Sequence, residues 1–196
     1  MTAVPDPNRR NDAARRAILS TAIDLVGEVG YTKLTIQGIA RAAGVGKQTI
    51  YRWWSSKGSL LFDAFLAFAG DGEAAALPDT GDLAADLKLV LRATVDELDD
   101  PRYDQAMRAM HVEIVNDHLL AAEYVLRLDQ PMRELKRTRL RAAQRAGQLA
   151  DDVELDVAID MLFGPVLNRW LHRTGPLTHD YVDRVVDTAL RGLQPR

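Results

Sequence analysis

The chain has 196 residues, 47% of them hydrophobic and 27% charged, with a formal net charge of −3. That is the balance of a globular protein with enough chain for one sizeable core or two smaller ones. The absence of cysteine excludes disulfides, thiolate metal sites and cysteine nucleophiles together.

Residues 1–10 contain Pro5 and Pro7 and show no periodicity, so they read as a disordered arm. Its Arg9 and Arg10, with Arg15 and Arg16, suit either a phosphate backbone or plain solvent. No apolar run that could act as a signal follows it, and nowhere does one approach the ~20 residues of a membrane helix. A cytoplasmic protein without a membrane partner is expected. A first helix is expected from Asn11 or Asp12, either of which can cap it, to Val29. Ile18, Leu19, Ala22, Leu25, Val26 and Val29 give it one apolar stripe. Gly30 ends it and Thr35 caps a second helix, in which Ile36, Ile39, Ala40 and Ala43 share a face.

Gly44 then stands where a helix end needs a left-handed residue. Val45 plugs the turn, and Ile50 and Trp54 supply the buried side of a third helix. Lys47, Gln48, Thr49, Tyr51 and Arg52 remain on its outer side, as major-groove reading requires. Thr35 to Lys57 is therefore a helix-turn-helix signature. Charge agrees with it. Residues 1–57 hold nine Lys/Arg against four Asp/Glu, and the remainder 16 against 24. A basic front on an acidic body marks a local polyanion-binding module.

Ile18-Leu19, Ala22, Leu25, Gly30-Tyr31, Thr35, Ile39-Ala40, Ala43-Gly44-Val45, Thr49-Ile50-Tyr51, Trp54, Lys57 and Leu60 resemble the DNA-binding domain of TetR-type transcriptional regulators over roughly residues 11–62. The resemblance implies that Gln37, Lys47, Gln48, Thr49, Tyr51 and Arg52 face DNA. It also implies that Thr35, Ile36 through its backbone, Tyr51 and Lys57 seat phosphates. The chemistry fits: Gln can be bidentate to adenine, and Lys or Arg reaches guanine edges. Two positions depart from the pattern. Gly46 replaces a hydroxyl cap of the third helix, and Gly38 sits inside the second helix at a cost of about 1 kcal/mol relative to Ala. Trp53 suits core packing better than a phosphate contact.

A fourth helix begins near Ser56 and is apolar on several sides; residues 70–81 close it and form a loop. The domain boundary is set inside this helix, with 11–57 as the helix-turn-helix domain and 58–196 as a helical ligand-binding and dimerisation body. Further helices are expected over about 83–98, 102–115, 118–147, 156–173 and from Thr178 onward, the third of these kinked or split by Pro131. The fold class is all-α with about nine helices. Arg133 to Arg145 is rich in arginine, which suits a helix face paired with the body's acids better than a second nucleic-acid surface.

The last two helices carry broad apolar stripes with little chain left to cover them. A four-helix interface across a two-fold axis resolves this, through Met161, Leu162, Pro165, Val166, Tyr181, Val182, Val185, Val186 and Ala189. The segments MLFGPVLNRWL and PLTHDYVDRVVD are similar to a C-terminal type found among TetR-like proteins, where such a dimer is expected. The resemblance also implies a small-molecule pocket in the body. Residues suited to line it are Phe65, Leu91, Val95, Met107, Met110, His111, Ile114, Tyr124, Leu128, Met132, Phe163 and Trp170, although apolar residues at helical spacing serve a plain core equally well.

His111, His118 and Asp104 recur at seven-residue spacing, but a helix break near Asp117 argues against a metal site, and no metal or cofactor is expected. No G-x-S-x-G elbow, phosphate-binding glycine loop or H-E-x-x-H is present, so no catalytic residue is assigned. The expectation is a homodimeric repressor that binds a palindromic DNA operator and is released by an unidentified small-molecule effector. The alternatives are a small all-α enzyme or ligand-binding protein whose DNA-binding head serves a secondary role, and an architectural binder indifferent to sequence. Specific donors on the third helix weigh against the last.

Overall fold

The computed structural model describes residues 7–68 and 76–195, with side chains from Asn11 onward. These residues form helices joined by turns, with no strand among them. They divide into two compact units, one built from residues up to 72 together with 101–124, the other from 73–100 together with 125–196.

The first unit opens with α1 (Pro7–Val29). It starts four residues before Asn11, because proline at a helix start loses no needed N–H and already has a helical φ. Pro7 to Arg10 are thus helical, and residues 1–6 of the expected arm lie outside the described residues. The buried stripe of α1 is Ile18, Leu19, Ala22, Ile23 and Val26. Ile23 takes the place expected for Leu25 and Val29, which turn partly or largely outward. A 3-10 turn (Tyr31–Lys33) leads to α2 (Ile36–Ala42) and α3 (Lys47–Tyr51), and α4 (Lys57–Phe68) follows. Leu60, Leu61, Phe62, Ala64 and Phe65 of α4 are all buried. Residues 101–124 complete this unit as α6 (Pro101–Asn116) and α7 (His118–Tyr124). The α4–α6 junction is close: a Cβ on Gly58 would stand 2.4 Å from Glu113 Oε2 and 3.0 Å from Leu120 Cδ2.

The second unit holds α5 (Leu83–Asp99), a π-helical segment (Val125–Asp129), α8 (Gln130–Arg145), α9 (Leu155–His172) and α10 (His179–Leu193). The helix expected over 118–147 runs as α7, the π segment and α8. The irregular turn falls just ahead of Pro131, whose ring opens α8 without breaking it. Counted as one interrupted segment, they leave nine helices among the described residues, the number expected.

The core of this unit joins Leu87, Leu91, Leu140, Ile159, Leu162, Val182 and Val186, among others. Outside it, α5 and α10 are laced by two ion pairs and a histidine–carboxylate hydrogen bond at one-turn spacing. Lys88 meets Asp187 at 2.6 Å, Arg92 meets Asp183 at 2.5 Å, and Asp96 meets His179 at 2.7 Å. At the other end Arg139 and Asp86, both buried, pair at 2.7 Å. Arg139 also donates to Pro78 O at 2.7 Å, while the Thr80 hydroxyl and N–H donate to Asp86 at 2.7 and 3.0 Å.

Candidate nucleic-acid interface

Local chemistry sets the α2–α3 turn. Thr35 is extended and its Oγ1 accepts from Gly38 N at 3.0 Å, which caps α2. A Cβ on Gly38 would lie 3.2 Å from that same oxygen, so the glycine makes room for the cap hydroxyl. Gly44 is left-handed at φ 67°, and Val45 N–H returns to Ala40 O at 2.9 Å, closing the helix end. Gly46 precedes α3 without a side-chain cap bond. The third helix is therefore only five residues long, with Ile50 as its buried anchor.

Of the residues expected to face DNA, Gln37, Lys47, Gln48, Tyr51 and Arg52 are exposed and Thr49 is half-buried. Lys47 Nζ lies 5.3 Å from the centre of the Tyr51 ring, one turn on. Thr35 is exposed, and the Ile36 side chain is buried beneath it. Lys57 is half-buried: its ammonium sits 3.8 Å from the Tyr31 ring centre and donates to Tyr31 O and Leu34 O, both at 3.4 Å. Burial holds its pKa below the ordinary lysine value. It braces the 3-10 turn against the start of α4, leaving one of three N–H groups for a phosphate.

Sequence reasoning placed Trp54 on the buried side and Trp53 in packing, but missed the polar contacts through Asp63 that hold this surface in place. Trp54, buried, donates its indole N–H to Asp63 on α4 at 3.0 Å, and Arg15 of α1 reaches the same carboxylate oxygen at 2.7 Å. A buried indole needs an acceptor, and that was the available signal. Trp53 packs edge-on to Trp54 with ring centres 5.5 Å apart, beneath the Arg52 guanidinium. Arg52 also donates to Asn11 Oδ1 at 3.0 Å.

Four of the five arginines of α8, all but Arg145, pair with acids of their own unit. Arg133 meets Asp129 and Asp160, Arg137 meets Asp156, and Arg141 meets Glu134. In the N-terminal head the exposed side chains of α3, Lys47, Gln48 and Tyr51, are all polar donors, backed by buried Ile50.

Two family models divide the chain between them. Residues 18–64 match the bacterial regulatory proteins of the tetR family, and residues 77–189 match the tetracyclin repressor-like C-terminal domain. The chain belongs to the TetR family of transcriptional regulators. It is 33% identical over 186 residues to the HTH-type transcriptional regulator YdeS of Bacillus subtilis, covering 94% of this chain and 92% of that one. The DNA-binding transcriptional repressor TetR of Mycobacteroides abscessus is 30% identical over 191 residues, with 92% and 94% covered. Among solved structures, the TetR family regulator SCO0332 superposes with a TM-score of 0.72 at 33% identity, covering 93% of this chain and 99% of that one. DNA-binding transcriptional regulation is the function of this family.

The remaining expected site residues are spread over both units of this TetR-family chain. In the first unit Phe65 and Met110 are buried, while Met107, His111, Ile114 and Tyr124 are half-buried. The His111 and Tyr124 rings lie 6.3 Å apart, and Phe62 stands 6.4 Å from Tyr124. In the second unit Leu91, Val95 and Trp170 are buried, and Leu128, Met132 and Phe163 half-buried. A surface depression lined by Ala84, Arg184, Asp187 and Arg191 shares no residue with the expected ligand set. His111 Nδ1 donates to Met107 O at 2.9 Å. Among the described residues no cluster of His, Asp and Glu is arranged to hold a metal, and no helix is long and apolar enough to cross a membrane.

Of the expected interface residues, Leu162, Val166, Val182, Val186 and Ala189 are buried in the core of their own unit, on the inner faces of α9 and α10. Met161 is exposed, and Pro165, Tyr181 and Val185 are half-buried. Opposite its inner face α9 presents Val157 and Met161, 56% and 43% exposed, with Gly164, Asn168 and the exposed Leu171 on the same stripe.

Proposed function

We propose that this chain is a homodimeric repressor whose two α3 helices read a two-fold-symmetric operator and whose body answers a small-molecule effector. The observation that carries the DNA reading is the division of α3: Ile50 is fully buried while Lys47, Gln48 and Tyr51 stand outside. Gln37, Gln48, Lys47 and Arg52 supply donors for base edges, and Thr35, Ile36 N–H, Thr49, Tyr51 and Lys57 serve phosphates. Residues 11–57 form the reading head, and 58–196 carry the dimer and effector functions.

Dimerisation is supported by α9 being apolar on two opposite sides. One side fills the core; the other holds Val157, Met161 and Leu171 in solvent, where a second copy would cover them. Gly164 on that stripe has open space where a Cβ would be, so helices can approach closely there. On α10 the matching stripe is Tyr181, Val185, Thr188 and Gly192, and the last is equally open. An effector held within the first unit by the half-buried Met107, His111, Ile114 and Tyr124 would release DNA by favouring a head spacing unsuited to the operator.

Selection of bound duplexes from a random pool tests this reading. Enrichment of two inverted half-sites, centred ~34–36 Å or a longer whole-turn distance apart, is the expected result. Enrichment of a single unpaired half-site would remove the dimeric part, and recovery of unselected sequence would remove the specific part.

A further inference from the structure

Asn11 begins as a misfit. Its side chain suits a helix cap, yet α1 starts at Pro7, so Asn11 lies inside the helix, where asparagine is a poor helix former. Capping therefore does not account for it. Its side chain instead reaches across to the far end of the helix-turn-helix, where Oδ1 accepts from Arg52 Nη2 at 3.0 Å. Both residues are exposed, so the contact adds little to the core. Arg52 is the C-cap of α3, and its guanidinium lies 4.9 Å over the Trp53 ring. The Trp53 ring on one side and the Asn11 oxygen at its edge together restrict the orientation of the guanidinium. Guanidinium recognition of a guanine edge or a phosphate is planar and bidentate, so a preset plane lowers the ordering cost of binding. One N–H of Nη2 is used by Asn11; the other, with those of Nη1, remains for DNA.

We propose that Asn11 is a positioning residue for DNA recognition: from α1 it holds Arg52, stacked on Trp53, in the orientation that meets the operator. The inference rests on α3 being the reading helix.

A double-mutant cycle tests it. Full-length wild type, Asn11→Ala, Arg52→Ala and the double variant are titrated against the duplex that wild type selects from a random pool, and against a scrambled duplex, by fluorescence anisotropy. Asn11→Ala is expected to weaken operator binding ~3–10-fold, the worth of one hydrogen bond, with a smaller effect on the scrambled duplex and a melting temperature that does not fall. In the Arg52→Ala background it should change operator binding less than twofold. Asn11→Asp, which keeps the acceptor, should hold the operator-to-scrambled ratio nearer to wild type than Asn11→Ala does. An equal loss from Asn11→Ala in both backgrounds, or no loss with arginine present, overturns the positioning role while leaving α3 as the reader. If wild type selects no duplex at all, the reading of α3 fails first, and the inference with it.

Discussion

Met161→Asp places a carboxylate in the middle of the outward stripe of α9. Fully burying a methionine side chain is worth ~1.5–3 kcal/mol, and Met161 is 43% exposed in the protomer. Less than half of that range, about 1 kcal/mol, is thus at stake in each copy. An unpaired carboxylate forced out of water adds at least ~1–3 kcal/mol per copy. A two-fold interface counts each change twice, which brings the total to ~4–8 kcal/mol. At 1.4 kcal/mol per tenfold, the dimer constant should weaken by a factor of about a thousand or more. Sedimentation velocity over a concentration series should then show monomers where wild type is dimeric. Leu89→Asp is the control, since Leu89 is also exposed, at 60%, but lies on α5 away from the stripe. Wild-type dimerisation in Met161→Asp would refute the assignment of the outward face of α9 to the interface. Monomers in both variants would show general charge sensitivity instead.

Two further outcomes concern stability. Asp86→Ala removes the closer carboxylate from the buried Arg139 charge, leaving only the exposed Asp79 at 3.5 Å, and should cost up to ~3–5 kcal/mol, read by denaturant unfolding near neutral pH. Burial raises the Asp86 pKa, but the bonds from Arg139 and Thr80 more than reverse this and hold it below its usual 3.8. Its contribution is therefore complete above that value and is lost as pH falls through the lower folded pKa. A penalty that persists unchanged in strong acid would contradict the pairing. Glu113 is the opposite case: burial first, then the nearby Asp117, push its pKa above the usual 4.5. The folded state takes up this proton more readily than the unfolded one, so Glu113→Gln should raise the melting temperature near neutrality. That advantage should shrink as pH falls through the raised pKa and level off below 4.5. A melting temperature lowered by the substitution at pH 7 would show that the carboxylate is held by favourable contacts.

The head was legible because its signals are local. Thr35, Gly44, Val45 and Ile50 each answer a backbone demand within a few residues, and the structure places them in the roles expected. Asn11 was misread as a cap because Pro7, four residues earlier, offers a better start. Its partner Arg52 lies 41 residues away, beyond any periodicity. The outer stripe of α9 was partly hidden for a related reason. A helix apolar on both sides has no single phase, so buried Leu162 and Val166 looked equivalent to exposed Met161. The α5–α10 ladder needs two helices in a fixed antiparallel register, which no single stretch of sequence displays. The need for glycine at position 58 is set by Glu113 and Leu120, which lie too far along the chain for local pattern to reveal.

The most direct measurement of the central claim is the ratio of affinities for the selected operator and a random duplex, compared between wild type and Gln48→Ala at fixed salt. Gln48 is exposed on α3, and in the proposed reading it meets a base edge, a contact worth ~1–3 kcal/mol of discrimination. The ratio should fall about fivefold to a hundredfold, with binding to random duplex nearly unchanged. An unchanged ratio, or equal weakening on both duplexes, would mean that α3 does not read the sequence of the operator through Gln48.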